Sequence, residues 1–133
     1  MGRFVNPDNS AFQVALNSRI YVDKTGLIEK TNEVLDTRQK FLCVSRPRRF
    51  GKSMAADMLA AYYERGEDSA ELFGTLKISK VESYEKNRNQ YDIIKVNMQE
   101  FLSMTHSMDE MLSMLQKYLI FDLTDHFDNV RFP

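Results

Sequence analysis

An α/β fold is predicted by three features of the sequence. Phe41-Leu42-Cys43-Val44-Ser45 is a short, nearly all-apolar run, as a strand buried on both faces would be. A segment of helical spacing follows within ten residues, with Met54, Met58, Leu59 and Tyr62 on one side. Ile93-Ile94-Lys95-Val96 reads as a second strand ahead of another helix-like segment. Helix and strand alternate, and that order favours the α/β class.

The elements follow in chain order. A polar start, Asn6 to Ser10, leads into the β-prone Ile20-Tyr21-Val22. A helix is expected next, with Thr25 as its cap and Leu27, Ile28, Thr31 and Leu35 on one side. Asp36 to Lys40 is a polar connection into the Phe41–Ser45 strand. Pro47 rules out continued regular pairing, so a loop follows. The next helix runs towards Gly66, a fitting stop signal, with Glu64-Arg65-Gly66-Glu67-Asp68 as its solvated end. Leu72-Phe73 is a short apolar piece, and Glu82 to Gln90 is polar and expected to be exposed. Ser107-Met108-Asp109-Glu110 fits a capping box that opens a helix carrying Leu112, Leu115, Leu119 and Leu123.

Bulk properties narrow the classes. The chain has 133 residues, which suits one domain or a piece of one. Hydrophobic residues make up 43% and charged residues 28%, which fits a globular protein rather than a disordered tail. The formal net charge is -1, so attraction to nucleic acid or anionic lipid would have to come from a local patch. The single Cys43 lies in an apolar run and is expected to be a buried thiol in a reducing compartment. No secretory leader or bilayer-spanning run is evident, which makes the cytoplasm the expected location and leaves no role for a membrane. The eight methionines fall mostly among apolar helix positions and read as core filling. His106 and His126 are too far apart to suggest a local metal site.

The chemistry-bearing segment is Arg46-Pro47-Arg48-Arg49-Phe50-Gly51-Lys52-Ser53. Its last three residues match the phosphate-binding loop G-x-x-x-x-G-K-[ST], while Arg46 replaces the first glycine. Such a loop turns backbone N–H groups towards phosphate oxygens at the start of a helix. Gly51 would let the main chain approach the phosphate, Lys52 would meet the outer phosphates, and Ser53 would ligate Mg2+. Pro47 contributes no N–H, and Arg46, Arg48 and Arg49 add charge that offsets the loss only in part. An ordinary loop opening a helix is the bland alternative, and a short basic patch for nucleic acid is another. The patch has no aromatic interleaving and few phosphate contacts to offer, so a nucleic-acid role for this chain alone is not expected.

Tyr21-Val22-Asp23-Lys24-Thr25, followed by the arginine-rich loop, resembles the bacterial AAA-ATPase-like proteins. Leu72-Phe73-Gly74-Thr75-Leu76-Lys77-Ile78 resembles the segment after that family's first helix. In this family a P-loop domain often precedes a nuclease-like domain of the PD-(D/E)xK type. The resemblance covers nearly the whole chain and implies Arg in place of the first glycine. It also implies a P-loop NTPase-like three-layer sandwich, of which residues 1–133 would be the incomplete N-terminal portion, without the nuclease-like domain. ATP and Mg2+ are the implied cofactors. The Tyr21–Thr25 stretch has no residue-level mechanism on sequence grounds; a strand edge leading to a helix cap at Thr25 serves as well as a nucleotide contact.

The chain departs from the pattern at its far end. An ATPase of this kind needs an apolar strand ending in an acid, to complete the metal site and orient water. The nearest candidate, Tyr118-Leu119-Ile120-Phe121-Asp122, sits within the leucine-striped helix that Ser107 opens, and is read as helix. The expectation is therefore nucleotide binding with little or no hydrolysis. The resemblance also puts later strands between the first two, so this portion alone would expose sheet edges. A truncated product, a fragment or a split subunit, with a further polypeptide completing the sheet, is the expected context. A non-catalytic interaction or regulatory fragment is the alternative from another class.

Overall fold

The structure, a computed structural model, describes residues 4–18, 21–44 and 52–127. Seven α-helices occur among them: α1 (Ser10–Leu16), α2 (Gly26–Val34), α3 (Lys52–Tyr63), α4 (Ala70–Phe73), α5 (Tyr84–Asn87), α6 (Met98–Met104) and α7 (Met108–His126). A 3-10 helix, Lys77–Lys80, lies between α4 and α5. No strand occurs among the described residues; there are two isolated bridges, Val5 with Ile94 and Glu64 with Tyr91.

The expected α/β three-layer sandwich is therefore overturned: what is described is helical. The reason is that apolar runs do not make a sheet without neighbours to receive their backbone hydrogen bonds. Residues 41–44 have no regular structure, and Phe41 is 86% exposed. Cys43 is exposed too, against the expectation of a buried thiol. Ile93–Val96 does find a partner, the segment around Phe4–Asn6, but only briefly. Asn6 N donates to the Ile93 carbonyl at 2.7 Å and Lys95 N to the Phe4 carbonyl at 2.8 Å. Asn6 then turns left-handed, with φ 44°, and its side-chain oxygen takes Ile93 N at 2.8 Å, so the ladder ends. Tyr21 and Val22 are likewise without regular structure, and Ile20 lies outside the described residues.

The helical expectations fare better. α2 starts after Thr25, and Ile28 is fully buried from it. α3 buries Met58 and Tyr62 against Phe12 of α1 and Phe73 of α4. Phe12 stacks on Phe73 at 4.9 Å, and Tyr62 meets Phe73 edge-on at 5.6 Å. Gly74 closes α4 tightly: a Cβ there would lie 2.9 Å from the Ala70 carbonyl oxygen. α6 and α7 enclose a second, smaller cluster of Phe4, Phe101 and Met111. Glu82 to Gln90, expected to be exposed, in fact buries Tyr84 and Asn87 through α5.

Residues 89–95 form a strap that ties these parts together. Asn89 N donates to the Tyr62 carbonyl at 2.8 Å, Tyr91 N to the Tyr63 carbonyl at 2.9 Å, and Arg65 N to the Tyr91 carbonyl at 2.9 Å. The strap thus accounts for the orphan carbonyls at the end of α3. Its far end pairs with Phe4–Asn6, as described above.

Candidate functional site

Of the expected phosphate loop, Arg46, Pro47, Arg48, Arg49, Phe50 and Gly51 lie outside the described residues, as does the Lys52 side chain. The Lys52 backbone opens α3, and Ser53 is the second residue of that helix and exposed. The first turn of α3 carries no acidic residue. A twelve-residue helix beginning at Lys52 has first-turn amides without partners inside the helix, and the positive end of its dipole lies at that end. That setting suits an anion, and the exposed Ser53 hydroxyl suits a hard cation bound beside one. No group of three or more metal-ligating side chains occurs among the described residues.

The first half of α3 is positioned by the Tyr21–Thr25 stretch. Tyr21, Val22 and Lys24 line one narrow pocket together with Phe12, Met54, Ala55 and Met58. The Tyr21–Thr25 stretch therefore lies against the first half of α3. Tyr21 packs edge-on to Phe12 at 6.2 Å. Burial pushes its hydroxyl pKa up, and the neighbouring Asp23 charge adds to the effect.

Asp23 and Thr25 have a structural task that the sequence did not disclose. Thr25 N and Oγ1 donate to Asp23 Oδ1 at 2.9 and 2.6 Å. Lys77 N donates to Asp23 Oδ2 at 2.9 Å, and Ile78 N donates to Thr25 Oγ1 at 3.1 Å. The pair thus caps the 3-10 helix of the Leu72–Ile78 segment. Thr25 stands at the N-cap position of α2, yet its side chain makes no capping bond there, in correction of the expected cap. Burial pushes the Asp23 carboxyl up, but the hydrogen bonds from Thr25 and Lys77, with the Lys77 charge, hold it below its ordinary value. The signal was present as an Asp-x-Thr spacing, but its partners lie more than fifty residues away.

The far-end acid is also committed. Asp122 lies within α7, so the helical reading of Tyr118–Asp122 holds. Asp122 is buried, and its Oδ2 accepts from Phe4 N at 2.9 Å and Val5 N at 2.8 Å. The carboxylate anchors the N-terminal segment. His106 is exposed, as expected of a surface histidine.

Compared with curated proteins and with solved structures, the chain has no match. A family model described as "Predicted AAA-ATPase", AAA-ATPase-like, matches residues 10–130. That span takes in the Tyr21–Thr25 stretch, the arginine-rich loop, α3 and α7, and the chain belongs to the AAA-ATPase-like family.

Proposed function

We propose that this chain binds a nucleoside triphosphate, ATP in the first instance, at residues 46–53 with Mg2+. The observation that carries the reading is the position of Gly51-Lys52-Ser53 at the opening of α3, in a chain of this family. Backbone amides around Gly51 and the helix dipole would hold the β- and γ-phosphates. Lys52 would neutralise their outer oxygens, and Ser53 Oγ would contribute one oxygen to the ion. Arg46, Arg48 and Arg49 would add positive potential around the loop. Magnesium, when bound, would offset the charge of the phosphates. The chain's own contribution is to bind and orient.

Hydrolysis by this chain alone is not part of the reading. The nearest candidate for the acid, Asp122 in α7, already accepts backbone N–H bonds from Phe4 and Val5 and is buried. The chain would act as the nucleotide-binding portion of a larger cytoplasmic ATPase assembly, completed by a further polypeptide. A non-catalytic, regulatory role for the bound nucleotide is the second reading, and the commitment of Asp122 favours it. No helix of the described residues is long and apolar enough to cross a membrane.

The test is a titration of fluorescent ATP with and without Mg2+. Lys52→Ala should weaken binding at least tenfold, which corresponds to about 1.4 kcal/mol. Equal affinity of the two chains removes the proposal. Phosphate release by the wild-type chain that is lost in Asp122→Ala would overturn the structural reading of Asp122.

A further inference from the structure

The far end of α3 carries a group that the proposed function does not use. Sequence alone places Glu64 in a charged, solvated helix end. In the structure it is 1% exposed, and its Oε2 has no hydrogen-bond partner. An ionised carboxylate in that position would have lost its water without a replacement, a costly arrangement that a bound proton relieves. Burial pushes the Glu64 carboxyl up, Glu67 and Asp8 push it further, and the chain's amino terminus acts weakly the other way, leaving it at about 7. Asp8 remains charged because Ser10 donates to it from both backbone and side chain, which holds its carboxyl below the ordinary value. The nearest cation in sequence, Arg65, is turned to Asp92 at 3.3 Å, in an exposed pair.

The surroundings of Glu64 make this burial consequential. Glu64 forms the parallel bridge with Tyr91, and its carbonyl accepts from Asn89 Nδ2 at 2.8 Å. Asn89 is held left-handed, with φ 58°, and its Oδ1 accepts from Ser69 N and Oγ, each at 3.0 Å. The Glu64 backbone is therefore part of the joint between the end of α3 and the strap, which goes on to pair with Phe4–Asn6. Rehydrating a charge at Glu64 would strain that joint, because the residue's own backbone is part of it.

We propose that Glu64 is a proton-operated latch, which seals the strap 89–95 to the end of α3 when protonated and loosens it when ionised. The sign follows from linkage. A carboxyl whose folded pKa lies above its unfolded 4.5 binds more protons when folded. Its stabilising contribution is complete below 4.5 and is lost as pH rises through about 7.

The experiment compares the full chain with Glu64→Gln by urea unfolding from pH 5 to pH 9. Between pH 5 and about pH 7 the wild-type folding constant should fall relative to that of Glu64→Gln, by as much as about tenfold per pH unit, and level off above that. Any other group titrating in this window contributes to both chains and cancels in the difference. Protection of the Arg65 and Tyr91 amides, taken relative to their intrinsic exchange at each pH, should fall over the same range in the wild type and not in Glu64→Gln. If the variant does not fold, the carboxyl carbon of Glu64 can be titrated by NMR in the wild-type chain, with a midpoint near 7 expected. Parallel pH profiles for the two chains, or a Glu64 midpoint below 5.5, overturn the latch. So does full rescue of wild-type stability at pH 8.5 by millimolar Mg2+, which would make Glu64 a cation ligand instead.

Discussion

Around Tyr62 the chain builds a core from several elements, whereas around Phe101 it relies on a helix pair and one carboxylate. The Tyr62 cluster draws on α1, α2, α3, α4, α5 and the 3-10 helix. Its polar atoms are largely paired. Tyr62 donates to the Tyr84 carbonyl at 2.7 Å, Asn32 Nδ2 donates to Tyr62 and Ser83 at 3.2 and 3.1 Å, and Tyr63 donates to Asn32 Oδ1 at 2.5 Å. The Phe101 cluster contains Phe4, Phe101 and Met111, with α7 supplying most of the flanking apolar side chains. In the same region Met98, Leu102, Met108, Leu112 and Phe121 remain exposed. The difference teaches that the site end of the molecule, beside α3, is held redundantly, while the α6–α7 end depends on few contacts. Single changes should therefore hurt the second region more than their size suggests.

The largest effect is expected at Asp122. Asp122→Ala would leave Phe4 N and Val5 N buried without an acceptor, at a cost of roughly 3 kcal/mol for the pair. Urea unfolding should show the loss, and Asp122→Asn, which keeps one acceptor oxygen, should recover part of it. Nucleotide affinity measured on the still-folded fraction should not change, since the carboxylate serves the N-terminal segment. A stable Asp122→Ala chain would sink the contrast between the two regions.

How much of this was legible depends on how local each cause is. α2, α3 and α7 follow from apolar spacing within one or two turns, helped in α7 by the Ser107 cap, and they appear where the sequence put them. The refusal of Tyr118–Asp122 to be a strand was legible for the same reason. The sheet was misread because a strand requires a partner that periodicity does not reveal; Phe41–Val44 has the composition and lies exposed. Glu64 was misread because its neighbours Arg65, Gly66, Glu67 and Asp68 look solvated, while the strap its backbone joins arrives from Asn89–Tyr91. Asp23 and Thr25 were read as a strand edge and cap because the backbone they hold lies beyond residue 76. Of the candidate site, only the helix start at Lys52 and Ser53 falls within the described residues.

The next effect probes the better-held region. Thr25→Val keeps the shape but removes the hydroxyl that accepts from Ile78 N and donates to Asp23. One buried N–H is left unpaired, at a cost of about 2 kcal/mol. The acid limb should change as well. Asp23, with its folded pKa lowered, contributes stability that is full above its ordinary 3.8 and lost as pH falls through the folded value. With one donor gone, Thr25→Val should show a shallower acid loss than the wild type in urea unfolding between pH 4 and pH 2. An unchanged acid limb would mean that the Asp23–Thr25 clamp on the 3-10 helix is not formed in solution.

The smallest effect sharpens the comparison from the other side. Ser107 caps α7: its Oγ accepts from Glu110 N at 3.1 Å, and Glu110 Oε2 accepts from His106 N at 3.2 Å. This differs from the expected box only in that Glu110 reaches one residue further back. Ser107→Ala should cost about 1 kcal/mol, the usual worth of a cap. In a molecule unfolding as one unit, that loss would accelerate hydrogen exchange equally in all slowly exchanging amides. If the α6–α7 end is the weaker part, it should instead open by itself. Exchange at α7 amides would then rise about fivefold in Ser107→Ala, while the Tyr62 and Tyr63 amides of α3 stay at wild-type rates. Uniform acceleration at both ends would erase the distinction between the two clusters, because it would show that the strap 89–95 couples them into a single cooperative unit.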